Sequence, residues 1–268
     1  DRVVMPGERC PVISIERAVA RLSKDQLKQE WNRLSGPWIE EMRSGHNSHR
    51  KGLLDEQMLE ACGDVSGLHI LDSGCGEGRF CRLLVARDAE KVLGVDLCEP
   101  MILAARELQG ESDSYEVADV QRLDHLKNGT FDLAVSYLNQ CDLPDFSANT
   151  REVFRTLKHG GRFIVANLHP MRSADGRWQR NAKGEREHDI VDEYFNETER
   201  HWKMMDVDFT NFHRSLATYT NGFISAGFRI TAIREPTVTE DQLSNYADLE
   251  DELRVPNFII FELMKPTV

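Results

Sequence analysis

The sequence predicts an α/β fold: a mostly parallel sheet of seven strands with helices on both faces. Three observations predict it. Short apolar runs alternate with helical patterns from residue 69 onward, a glycine-rich turn follows the first run, and the alternation resumes after a long polar insertion. Strands alternating with helices need crossover connections, and crossovers give a parallel sheet covered on both sides.

The elements follow in order. Residues 1–14 of the 268-residue chain lack periodicity and read as an extended tail. In residues 24–43, Leu27, Trp31, Leu34, Trp38, Ile39 and Met42 recur at near-helical spacing, and Gly36-Pro37 predicts a break into two short helices. Another helix is predicted around Leu53 to Cys62, stopped by Gly63. The runs His69–Asp72, Val92–Asp96, Ser114–Val117, Phe131–Ser136 and Arg162–Leu168 predict strands, with helices near 78–87, 100–108, 121–126 and 149–158. Lys158-His159-Gly160-Gly161 reads as a helix end with a glycine stop.

Residues 169–212 break the pattern. They are polar but carry Trp178, Tyr194, Phe195, Trp202, Phe209 and Phe212, as a functional insertion or a cover does. Ser215 to Ala226 is helical again, Phe228 to Arg234 a strand, 237–254 acidic and loop-like, and Asn257 to Met264 a strand of high β-propensity. Four parts result: a tail and helical lid (1–62), an α/β core (63–168), a substrate-side insertion (169–212) and the remainder of the core (213–268).

Composition narrows the function. The net charge of -12 disfavours nucleic acid, whose binding rests on Lys and Arg neutralising phosphates. The basic stretch Arg172 to Arg186 is interrupted by acids and reads as a solvated loop. No apolar run is long enough to span a membrane, and DRVVMPGERC shows no leader pattern. The six cysteines (10, 62, 75, 81, 98 and 141) have neither C-x-x-C nor zinc spacing, so a reduced, cytoplasmic protein without a metal is expected. A homo-oligomer is compatible with all of this.

After the strand His69–Asp72 comes Gly74-Cys75-Gly76-Glu77-Gly78 and then a helix. Glycines let the backbone turn sharply and approach a ligand, and the helix start offers free N–H groups. A dinucleotide loop is G-x-G-x-x-G, but three residues after Gly76 stands the bulky Arg79. Asp72 before the loop suits a ligand bearing an ammonium or sulfonium group.

From Gly63 to the C-terminus, the insertion less closely, the chain resembles the class I S-adenosylmethionine-dependent methyltransferases. The resemblance implies a Rossmann-like sheet and S-adenosyl-L-methionine as methyl donor, leaving S-adenosyl-L-homocysteine. It implies that Asp72, Gly74, Cys75, Gly76 and Gly78 wrap the methionine limb. Asp96, in GVD, would grip the ribose hydroxyls, with Leu97 against adenine. Asp119, in ADV, would bond the adenine amino group, with a backbone N–H from Val120. SYLNQCDL, after the fourth strand, matches the segment that touches cofactor and substrate; Tyr137, Asn139 and Asp142 there would orient the acceptor or hold the methionine amino group, or Asp142 would instead cap the loop. LKHGGRFIVANLHP matches the family's turn and fifth strand, with His159 in place of the usual proline. An upstream base, here Arg50, would pair with the methionine carboxylate.

The acceptor side is less specified. His169, directly after the fifth strand, is the first candidate for a general base pointing into the crevice mouth, or else a structural histidine. Tyr137 is a second catalytic candidate. His213 is expected at the start of a helix as a positioning group, and Trp31 and Trp38 either form an aromatic lid over the acceptor or pack as core. The first reading is therefore N- or O-methylation of a small-molecule metabolite, of the natural-product type. Protein or RNA substrates, a non-catalytic cofactor binder and a nicotinamide dehydrogenase are the alternatives. Ser136-Tyr137-Leu138-Asn139 in place of the Asn/Asp-Pro-Pro-Tyr tetrad disfavours amide methylation, and Arg79 with Asp119 disfavours the dehydrogenase.

Overall fold

The computed structural model describes residues 23–45, 47–175 and 177–267, and among these the first element is helix α1 (Lys24–Ser44). The expected tail (1–14) and Cys10 lie outside the described residues. A capping box starts α1: the Ser23 side chain accepts from the Gln26 N–H, and the Gln26 side chain accepts from the Ser23 N–H. The helix then runs unbroken through Gly36-Pro37, where two helices were expected. An interior proline costs roughly 3 kcal/mol, and tertiary anchoring offsets it here. Leu27, Leu34 and Met42 are buried along one face, and Arg43 near the far end donates to the Ala104 carbonyl at 2.8 Å.

A wide, π-type helical turn (Ser48–Leu54) leads into α2 (Asp55–Cys62), and Gly63 with φ 65° ends it. The core strands are β1 (His69–Ser73), β2 (Lys91–Asp96), β3 (Asp113–Val117), β4 (Phe131–Tyr137) and β5 (Leu157–Leu168). Between them lie α3 (Arg79–Val85), α4 (Glu99–Glu107) and α5 (Phe146–Thr156). No helix forms at 121–126, a correction to the expectation. Side chains satisfy that backbone instead: Asp119 accepts from the Gln121 N–H, Glu152 accepts from the Leu123 N–H, and Arg155 donates to the carbonyls of Leu123 and Leu126.

The insertion holds a short α6 (Pro170–Ser173) and two hairpins: β6 (Arg177–Arg180) with β7 (Arg186–Ile190), and β8 (Glu199–Met204) with β9 (Val207–Phe212). Then come α7 (Leu216–Ser225) and β10 (Arg229–Arg234). The acidic segment 237–254 is ordered, not loop-like: α8 (Glu240–Asn245), capped by Thr239 and Gln242, precedes a 3₁₀ stretch (Ala247–Leu253). The last strand is β11 (Phe258–Met264).

Seven strands form one sheet in the order β10-β11-β5-β4-β1-β2-β3, and only β11 runs antiparallel to its neighbours. Alternate residues of a strand face opposite sides. Ile70 therefore joins Met58, Phe80, Leu84 and Ile102 on one side, while Leu71 joins Phe146, Val153, Phe163, Tyr219 and Phe223 on the other. Helices thus cover both faces. The order reverses between β1 and β4, and in such sheets the crevice opens there, at the carboxyl ends of the strands. The parallel register pairs Asp72 with Gly94 and Asp96 with Val117. That carries Asp72, Asp96 and Asp119 to the same edge.

Candidate active site

One cleft of about 920 Å³, counting the space open to solvent, lies at that edge. Its floor is the turn between β1 and α3. Gly74, Gly76 and Gly78 all have positive φ, of 86°, 55° and 79°. At Gly74 no side chain fits, because a Cβ would stand 2.1 Å from the Asn139 side chain. At Gly78 a Cβ would meet the Tyr115 ring at 2.6 Å. Gly78 shapes the turn without lining the cleft, whereas Gly74, Cys75 and Gly76 line it.

The three acids stand around this floor. Asp72 is buried; its Oδ2 accepts from the Cys81 thiol at 3.2 Å, and its Oδ1 has no partner. Burial pushes its carboxyl up to about 7, against the bond from Cys81. Asp96 holds the loop: Oδ2 accepts from the Gly76 N–H at 2.9 Å and Oδ1 from the Cys98 N–H at 2.8 Å. Burial raises its pKa too, offset by these backbone donors. Asp119 accepts from Gln121 and pairs with Lys24 at 3.1 Å. Leu97 and Val120 line the cleft beside Asp96 and Asp119.

Arg50 enters from the π-type turn. Its guanidinium lies 5.1 Å from the Trp38 ring and 4.7 Å from the Tyr137 ring, with no carboxylate in salt-bridge range among the described residues. Burial lowers its pKa, and Tyr137 and Asp55 counter this, but a guanidinium stays charged near neutrality. Arg79, which fills the third-glycine position of a dinucleotide loop, forms a two-pronged pair with Asp55 at 2.5 and 2.7 Å. Tyr137 donates its hydroxyl to the same Asp55 at 2.9 Å. Burial, then Asp55, holds the Tyr137 pKa well above its ordinary value, and its proton is engaged by Asp55. Local sequence reading missed Asp55, whose role depends on a helix reaching over the loop.

Leu138, at the end of β4, has φ 56°, a strained value for leucine that aims the following residues inward. Asn139 next to it lies against Gly74, and its Nδ2 is buried without a partner. Asp142 is buried on the same wall, one short turn further. Overhead, Trp31 and Trp38 line the cleft from α1 and meet edge to face, with centroids 6.1 Å apart. Helix α1 is tied to the insertion by Trp31 against Phe209 and by Glu30, which accepts from the Thr210 N–H and hydroxyl at 3.0 and 3.1 Å. Glu30→Ala is expected to cost about 1–2 kcal/mol of stability and to speed amide exchange across 207–212. Unchanged exchange there would show that the junction does not hold β9.

Two histidines stand elsewhere, which corrects the expectation that His169 points into the crevice. His169 does not line the cleft. Its backbone N–H donates to the Asn257 carbonyl at 2.8 Å, drawing it toward β11. Its Nδ1 accepts from the Met171 N–H, capping α6, and its Nε2 therefore carries the proton shared with Glu235 at 3.0 Å. His213 is also outside the cleft lining: Nε2 donates to the Tyr194 carbonyl and Nδ1 accepts from Ser173, both at 2.8 Å. Burial lowers the pKa of both histidines. Both lone pairs are taken, so neither ring is free to accept a proton from a ligand.

Among the described residues, no group of three or more His, Cys, Asp or Glu could hold a metal ion, and no helix is long and apolar enough to cross a membrane. What the cleft presents is an unpartnered carboxylate oxygen on Asp72, an unpartnered amide on Asn139, an unpaired guanidinium on Arg50, and acids at two further strand ends. Those groups fit a ligand with an ammonium, a carboxylate and a ribose. A family model described as a methyltransferase domain matches residues 71–165. An S-adenosylmethionine-dependent methyltransferase of Mesorhizobium loti is 34% identical, with a TM-score of 0.70 over 78% of this chain and 94% of that one. A Listeria monocytogenes protein assigned to the same group is 28% identical, with a TM-score of 0.71 over 78% of this chain and 95% of its own. A Haemophilus influenzae protein of unassigned function is 28% identical over 218 residues, which is 78% of this chain and 85% of that one. With the sheet order, the glycine cradle and this likeness in agreement, the chain belongs to the class I S-adenosylmethionine-dependent methyltransferases.

Proposed function

We propose that this enzyme methylates a nitrogen or oxygen of a small-molecule metabolite. The roof over the cleft carries the reading. Helix α1, pinned to β9 at one end and to α4 at the other, closes the acceptor side with Trp31 and Trp38. A cover of that kind admits a flat metabolite more readily than a folded protein or an RNA stem, and the net charge of -12 also disfavours RNA. The buried free thiols of Cys62, Cys75, Cys81, Cys98 and Cys141 fit a reducing compartment such as the cytoplasm.

When bound, the cofactor supplies a methyl group on a sulfonium, a good leaving group in an in-line displacement. The protein's work is then mostly positioning, which can supply up to roughly 7–11 kcal/mol. In this assignment Arg50 takes the methionine carboxylate, Asp72 and Asn139 the methionine amine and backbone, Asp96 the ribose hydroxyls, and Asp119 the adenine amine in exchange for Lys24. The tryptophans exclude water and hold the acceptor.

Calorimetry tests the donor: S-adenosylmethionine and S-adenosylhomocysteine bind, and NAD does not. Tighter binding of NAD would sink the assignment. For the acceptor, the enzyme is incubated with methyl-labelled S-adenosylmethionine and whole-cell extract. Label is expected in the small-molecule fraction; label confined to protein or RNA would overturn the small-molecule reading.

A further inference from the structure

We propose that Asp142 is the proton acceptor for methyl transfer and that Asn211, delivered by the insertion, is its positioning residue. The inference rests on the methyl-donor reading above. Asp142 is buried yet lines the cleft. Its backbone N–H donates to the Asn139 carbonyl at 2.9 Å, so one tight turn carries it past the residue that sits against Gly74. With the methionine limb assigned to the turn at Gly74, as proposed above, Asp142 would stand beyond that limb, on the acceptor side.

Protein donors engage one side of the carboxylate. The Asn211 amide and the Cys141 thiol both point at Oδ1, the thiol at 3.4 Å. Oδ2 receives no protein donor among the described residues. A carboxylate locked on one oxygen and open on the other is fixed in place and still able to take a proton. Burial pushes Asp142 up to about 7, against the bonds from Cys141 and Asn211 and the charge of Arg50. The titratable and charged groups around it are Arg50, Asp96, Cys141, Tyr219 and Arg214, whose guanidinium donates to the carbonyls of Gln140 and Leu143 on either side. A base poised near the working pH transfers protons most efficiently.

The acceptor class follows. Its nucleophilic atom arrives bearing both a hydrogen and a lone pair, as a neutral amine or a hydroxyl. Its lone pair forms the bond to the methyl carbon, the carbon–sulfur pair stays on sulfur, and the N–H or O–H proton passes to Oδ2. One positive and one negative charge cancel in the step, and the carboxylic acid returns its proton to water afterwards. Aromatic faces from Trp31 and Trp38 with a carboxylate behind them suit an amine in particular.

The test needs no acceptor. Sinefungin replaces the sulfonium and its methyl by a carbon bearing an amine, so its ammonium sits where the methyl would travel. Wild-type enzyme is expected to bind sinefungin at least tenfold more tightly than S-adenosylhomocysteine at pH 8, and with little preference at pH 5.5. Asp142→Asn should lose the preference and keep S-adenosylhomocysteine affinity within about twofold. Asn211→Ala should move the onset of the preference to higher pH, because a stabilising bond to the ionised form is gone. A preference that survives in Asp142→Asn overturns the proposal, as does an equal loss for both ligands or a wild-type preference that ignores pH. Wild-type enzyme that binds neither compound would instead remove the methyl-donor reading.

Discussion

Asp96→Ala is expected to weaken S-adenosylhomocysteine binding about a hundredfold or more, with the fold retained. Two losses combine. The carboxylate has roughly four acceptor directions, and two are already used to hold the Gly76 and Cys98 N–H groups. Asp96 lines the cleft, and its remaining acceptor capacity is what the proposed ribose contact would use. Alanine removes the diol contacts, and each hydrogen bond to a charged group is worth about 1.5–3 kcal/mol. It also frees Gly76, whose φ of 55° shapes the turn that lines the cleft. Asp96→Asn separates the two losses: one acceptor oxygen remains, but one of the two backbone donors loses its partner. Its affinity should fall between wild type and alanine. Titration calorimetry reads both variants, and an alanine variant with wild-type affinity would remove Asp96 from the ribose role.

The cofactor end of this site is legible in the sequence because it is local. A strand end, a glycine turn and a helix start are contiguous, so Asp72 and the three glycines announce their geometry. Asp96 and Asp119 are legible for a related reason, since parallel strands with short crossovers bring equivalent ends to one edge. The proposed acceptor end is different, because partners far apart in sequence build it. Asp142 stood out only as a residue after β4. What fixes it is Asn211, and no local pattern ties the two together. His169 misled for the same reason. Its place after β5 suggested the crevice, but the Asn257 carbonyl ahead of β11 and Glu235 after β10 hold it beside those strands, out of the cleft lining. Pro37 shows the reverse case: a local rule predicts a break, and burial of Leu34 and Met42 on either side overrides it.

Stability without cofactor should carry the imprint of the buried acids, and Asp72 makes the argument sharp. Its ordinary pKa of 3.8 is raised to about 7 by burial. Below the ordinary value, folded and unfolded chains are both protonated and the group contributes nothing to the pH dependence. Between the two values the unfolded chain gives up its proton and the folded one does not, so stability is lost as pH rises. Above about 7 the loss is complete. The interval between 3.8 and about 7 corresponds to roughly 4 kcal/mol. His49 and the buried His169 and His213 act in the opposite sense, because their lowered pKa values make stability rise as pH approaches 6.5. The wild-type profile alone therefore mixes the two. The difference between Asp72→Asn and wild type isolates the aspartate: by urea unfolding it should grow in favour of the variant from pH 4.5 to about 7 and then level off. A constant difference would mean that Asp72 ionises normally in the folded protein. S-adenosylmethionine, bearing two positive groups, binds best to ionised carboxylates, so its affinity for wild type should rise across the same window. The share of that gain owed to Asp72 should be absent in Asp72→Asn, while the share owed to Asp142, also raised to about 7, should remain.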